Sequence, residues 1–177
     1  MPADIRERVS EDQGILKKIQ MFIPGFRGYR KREDLRDADK MLRMQLAQKL
    51  GMQRRGLEEC RSLLAQGGAY KDLDSVGGLI SNLKKLEGLV AHTDSGYSGF
   101  AADVQVKEEE MNRLYEYDAG MIDHIGSIAT SIDSLKSSIM AADEATMHKD
   151  VMNIKARINA FEDNFTRRMR VIEGTEV

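Results

Sequence analysis

The sequence predicts an all-α protein: an elongated antiparallel bundle of long, coiled-coil-like helices forming a single domain over residues 1–177. Three observations carry that expectation. Charged residues make up 32% of the chain and aromatics only 6%, with no tryptophan and two prolines, Pro2 and Pro24. That composition suits long helices with narrow apolar stripes better than a sandwich or an α/β sheet. Eleven methionines point the same way, since methionine is a good helix former that fills irregular gaps. Finally, apolar residues recur in steps of three and four over most of the chain, which is the signature of a helix with one buried face.

A short helix is expected over 10–23, where Ile15, Leu16, Ile19 and Ile23 share a face. Ser10 suits its N-cap and Gly14 weakens it. Pro24-Gly25 ends it, because proline disfavours helical backbone in the residue before it. A long helix follows over 29–66, striped by Leu35, Ala38, Leu42, Leu46, Leu50, Leu57, Cys60 and Leu64. Gly67-Gly68 stops it. A third helix is expected over 75–92, capped by Asp74 or Ser75, with Val76, Leu79, Ile80, Leu83, Leu86 and Val90 on one side.

The clearest periodicity lies in the C-terminal half, where helices are expected over 104–141 and 143–173. Leu114, Asp118, Met121, Ile125, Ile128, Ile132, Leu135 and Ile139 are spaced alternately by four and three. This is a heptad seam with one acidic intruder, Asp118. Asp143 then caps a second seam of Met147, Val151, Ile154, Ile158, Phe161, Phe165 and Ile172, whose last step is seven. So short a connection makes the two helices an antiparallel hairpin. The segment ADVQV is the one strand-like stretch, and the glycine-bearing SGYSGF loop before it offers Tyr97 and Phe100 as anchors.

The net charge of −2 conceals an asymmetry. Residues 26–55 hold ten basic and four acidic side chains, a local +6, and residues 101–150 hold four and eleven, a local −7. Such asymmetry suits either two surfaces for two partners or two regions that attract one another within the fold, orienting helices rather than holding them.

Candidate sites are few. The apolar and basic tip from Met21 onward, with Phe22, Phe26, Arg27, Tyr29, Arg30, Lys31 and Arg32, is a candidate contact for a partner or an anionic membrane. The plainer reading is a turn whose apolar residues cap the end of the bundle. Asp118 is a candidate register-setting polar residue in the core. Cys60 lies on an apolar stripe, where a thiol packs as a small hydrophobe. His92, His124 and His148 are far apart, no Glu-x-x-His pair exists, and one cysteine makes no zinc site, so no metal or other cofactor is expected. No glycine loop continues into Gly-Lys-Ser/Thr, and no Gly-x-Ser-x-Gly elbow occurs.

These readings favour a non-enzymatic interaction or scaffold protein that binds protein partners or self-associates. The alternative is a peripheral membrane protein working through residues 21–32. An enzyme with a bundle-core site around Asp118 ranks third and nucleic-acid binding fourth, and no small-molecule substrate is apparent. No apolar run reaches the length of a membrane span and the start of the chain has no apolar signal core, so a cytoplasmic setting is expected. The stretches IPGFRGYRKREDLRDADKMLR and HTDSGYSGFAADVQVKEEEMNRLYEYD resemble segments of an uncharacterised family of small helical proteins of bacteria and archaea. The resemblance implies a helical fold in a prokaryotic cytoplasm and carries over no functional residue.

Overall fold

The computed structural model describes residues 5–29, 32–93 and 107–173. The chain is all-α, with no strand among the described residues. The helices are α1 (Ile5–Phe22), α2 (Arg32–Gln66), α3 (Leu73–His92), α4 (Glu108–Met140) and α5 (Glu144–Glu173), with a 3-10 turn at Tyr70–Asp72. The SGYSGF loop and ADVQV lie outside the described residues.

Helix boundaries follow local chemistry, and several differ from the sequence reading. α1 begins five residues before Ser10, which is therefore helix interior and not an N-cap. α2 begins at Arg32 rather than at Tyr29, because Gly28 turns the chain with φ +98°. Its end is as expected. Gly68 takes φ +75°, Ala69 N–H donates to Leu64 C=O at 3.0 Å and Gly68 N–H to Ala65 C=O at 3.3 Å, which is a Schellman motif. α3 starts two residues before Ser75, at Leu73, and its N-cap residue is Asp72, which makes no side-chain capping bond. α4 ends in the same motif as α2, with Asp143 N–H donating to Ser138 C=O at 3.0 Å, although the left-handed residue is Ala142, at φ +54°. Asp143 then caps α5, accepting from Thr146 N–H at 3.1 Å.

The packed residues divide into two compact units. In the first, α1, α2 up to Gln45, α4 up to Ile122 and α5 from Asn164 enclose Ile19, Ile23, Leu35, Leu42, Leu114, Met121, Phe165 and Ile172. α4 and α5 run antiparallel there: Asp118 meets Arg168, while Gly120, further along α4, stands over Asn164, earlier in α5. In the second, α2 from Leu46, α3, α4 from Asp123 and α5 up to Asp163 enclose Leu50, Leu57, Leu83, Leu86, Ile128, Ile132, Ile158 and Phe161. Here α2 and α4 run parallel, with Gly56 set against Ile132 and Glu59 against Lys136. A Cβ on Gly56 would lie 3.1 Å from Ile132 Cγ2, so the glycine allows these helices their close approach. Each fully buried leucine or isoleucine contributes roughly 1.5–3 kcal/mol of transfer free energy, so these stripes dominate the stability.

The seam of α4 is buried from Leu114 to Leu135, and Ile139, in the last turn, is half-exposed. In α5, Met147, Ile154, Ile158, Phe161, Phe165 and Ile172 are buried and Val151 is half-exposed.

Candidate functional site

The chain between α1 and α2 is shaped by three aromatic rings and two glycines. Ile23 N–H still donates to Ile19 C=O at 2.8 Å, and Pro24-Gly25 then break the helix, Gly25 taking φ +87°. Phe26 meets Tyr29 edge-on with ring centroids 5.2 Å apart, and Tyr29 stacks on Tyr115 of α4 at the same distance. The Tyr115 hydroxyl accepts from Tyr29 N–H at 3.2 Å. It sits so close to Gly28 that a Cβ there would fall 2.5 Å from it. The turn is therefore folded inward over the core of the first unit.

That geometry revises the expected surface tip. Phe26 is 3% exposed and Tyr29 fully buried, so neither side chain presents itself to a partner or a lipid. They cap a core, as the plainer reading had it. Arg27 is exposed, Phe22 half-exposed and Met21 79% exposed. Arg30, Lys31 and the side chain of Arg32 lie outside the described residues.

Beneath the turn is a buried polar cluster that joins α2, α4 and α5. Asp118 is fully buried at its seam position, and its partner is Arg168 of α5, also fully buried. Arg168 Nε donates to Asp118 Oδ1 at 2.5 Å, Nη1 to Asp39 Oδ1 of α2, and Nη2 to the Tyr29 hydroxyl at 3.0 Å. The Tyr29 hydroxyl in turn donates to Asp118 Oδ2. Arg43 Nε, one turn along α2, donates to Asp39 Oδ2 at 2.8 Å. Two carboxylates thus meet two guanidiniums, and the fork geometry of arginine lets one side chain serve three acceptors on three segments.

Burial sets the electrostatics. It works against the charge of Arg168, but Asp118, Tyr29 and Asp39 around it carry the guanidinium well above its ordinary value. Burial raises the Asp118 carboxyl above the usual range, opposed by Arg168 and by the Tyr29 hydroxyl. Tyr29 is raised well above 10.0 by burial first and by the Asp118 charge second. Unpaired, charges this deep would each cost several kcal/mol. Chemically the cluster binds a turn and three helices at one point.

The expected attraction between the basic 26–55 and acidic 101–150 regions takes a different form in the buried core. Asp39, one of the basic region's own carboxylates, and Asp118, from the acidic region, both turn to a guanidinium of α5. In the second unit Arg54 pairs with Glu58 and Glu87, and Lys136 with Glu59.

Arg168, Asp39 and Arg43 were absent from the sequence-derived candidates. The signal for Arg168 was present: the seven-residue step from Phe165 to Ile172 skips one heptad position, and Arg168 fills it. α4 and α5 each carry one ionic intruder in an apolar seam, and the hairpin brings the two together.

The remaining candidates sit apart. Cys60 is buried in the second unit, its Sγ 4.0 Å from Ile132 C=O, and burial pushes the thiol up to about 11. Burial, and then the charge of Arg157, lowers the half-buried His124, with Asp123 opposing. His92 and His148 are exposed. Among the described residues no group of three His, Cys, Asp or Glu side chains is placed to hold a metal. An open depression of 520 Å³ in the second unit is lined by Arg55, Glu58, Glu59, Ser62, Leu63 and Lys136. A second, of 230 Å³ in the first unit, is lined by Gly25, Arg27, Gly28, Asp37, Ala38 and Met41. Neither is lined by a residue of the Arg168 cluster.

Comparison with protein-family models, with curated proteins and with solved structures finds no match to this chain. No described helix is long and apolar enough to cross a membrane.

Proposed function

We propose that this chain is a non-enzymatic helical interaction protein, binding protein partners or a second copy of itself through exposed helix faces. The observation that carries the reading is the placement of methionine. Met44, Met52, Met140 and Met152 are 45–76% exposed on α2, α4 and α5, whose other large apolar residues are mostly buried. A lone exposed hydrophobe means little. Methionine, however, is flexible and polarisable, and it is over-used on surfaces that repack against partners. Arg168 and its acceptors, by contrast, are fully engaged with one another.

The test is sedimentation velocity, together with affinity capture from the native host after mild crosslinking. Parent protein is compared with the variant Met44→Gln/Met52→Gln/Met140→Gln/Met152→Gln. These side chains face solvent, so the variant keeps its helicity and melting temperature. The reading predicts association with itself or with a stoichiometric partner, weakened about tenfold or more in the variant, which corresponds to about 1.4 kcal/mol. Equal association of the two proteins contradicts it.

The alternative of contact with anionic lipid is favoured by Met21 standing 79% exposed near the exposed Arg27. It no longer draws on Phe26 or Tyr29. Recovery of parent and methionine variant alike, and only with membrane material, would move this reading to first place.

A further inference from the structure

We infer that Arg168, with Asp39, Asp118 and Tyr29, is an alignment key: it selects the one phase at which α2 lies against α4 and α5 in the first unit. The apolar stripe of α2 does not define that phase. Leu35, Ala38, Leu42 and Leu46 follow one another at steps of three, four and four, so moving α2 by one turn lays apolar residue upon apolar residue. Asp39 breaks that degeneracy. A shift of one turn in one direction brings Leu42 or Arg43 to its place, and in the other Leu35 or Arg36. Either the buried guanidinium of Arg168 loses an acceptor or it meets another cation.

The α4–α5 pair needs the key less, because the Ala141–Asp143 turn and its cap already fix that hairpin. α2 has no short connection to either helix. The notch at Gly56 over Ile132 lies on the same two unbroken helices, α2 and α4, but it sets how closely they approach: a Cβ there, 3.1 Å from Ile132 Cγ2, asks for a shift of only a few tenths of an ångström, far less than a stranded charge costs. In the first unit the turn that carries Tyr29 stands beside the Arg168 cluster, and Tyr29 is itself a member. Ionic groups retained in a core act this way when an apolar replacement would pack as well but less selectively.

The key is tested by distance measurement between paired spin labels on a Cys60→Ala background. One pair sits at Lys40→Cys and Glu116→Cys, both exposed and both in the first unit. A control pair sits at Thr130→Cys and Lys155→Cys, both exposed, across the α4–α5 hairpin of the second unit. With the cluster intact, each pair gives one narrow distance. In Tyr29→Phe/Asp39→Leu/Asp118→Leu/Arg168→Met the melting temperature is expected at or above the parent's. The first distribution then spreads into components about one helical turn apart, ~5 Å, while the control stays narrow. Should that variant fail to fold, Asp39→Asn/Asp118→Asn/Arg168→Met, which removes the three buried charges and keeps Tyr29, is expected to spread the first distribution in the same sense. A folded variant with one narrow distance at the parent's position overturns the inference, whatever its melting temperature.

Discussion

At the scale of single residues, Arg168 is the side chain on which most depends. It donates to three acceptors contributed by α2, α4 and the turn before α2, and no solvent reaches it. Truncation to alanine leaves Asp118 and Asp39 buried with their main counter-charge gone. Breaking one partner out of a buried pair costs about 3–5 kcal/mol, a large share of an ordinary domain's stability. Urea unfolding of Arg168→Ala is expected to show that loss, whereas a loss under about 1 kcal/mol would mean that water reaches the site. Tyr29 gives a pH signature. Its folded-state value is raised above the unfolded value, so the folded chain keeps a proton that the unfolded chain releases above about pH 10. Stability from this group is therefore whole below that pH and falls as pH rises beyond it, by about 1.4 kcal/mol per unit. Unfolding curves of parent and Tyr29→Phe, taken between pH 9 and 11, are expected to diverge in slope accordingly. Parallel curves would contradict the buried phenol.

At the scale of elements, helices end where backbone chemistry lets them. α2 and α4 close with the same hydrogen-bond motif, one with Gly68 in the left-handed conformation and the other with Ala142. An L residue with a Cβ pays for that conformation where glycine does not. Ala142→Gly is therefore expected to stabilise the chain by about 0.5–1 kcal/mol, net of glycine's extra unfolded-state entropy, and Gly68→Ala to destabilise it by a similar amount. Thermal melts of the two variants should move in opposite directions. Much at this scale was legible in the sequence. The seams of α4 and α5 were readable because burial follows their spacing almost residue for residue. At the turn before α2 the sequence left a surface tip open beside the plainer reading of a cap, because Phe26 and Tyr29 are flanked by arginines. What turns them inward is the Tyr115 hydroxyl closing on Gly28, a contact 86 residues distant in sequence from Tyr29 that no local pattern carries. Asp39 was hidden for a similar reason: it adjoins a stripe position, Ala38, within a run of mixed charge, and only the arrival of Arg168 draws it into the core.

At the scale of the whole molecule, the sequence divides its tasks between inside and outside. Asp39, Asp118 and Arg168, from three helices, meet in one buried cluster of the first unit, and several of the methionines are left on the surface. Function by association is the reading this division supports, and it places the informative chemistry on helix faces. The most direct test replaces methionine with its photo-reactive diazirine analogue in the protein expressed in its native host, followed by irradiation and mapping of crosslinked peptides. The account predicts intermolecular crosslinks at Met44, Met52, Met140 or Met152, to one recurrent partner or to a second copy of the chain. Crosslinks confined to residues of the same chain, in an irradiated sample known to be folded and abundant, would contradict it.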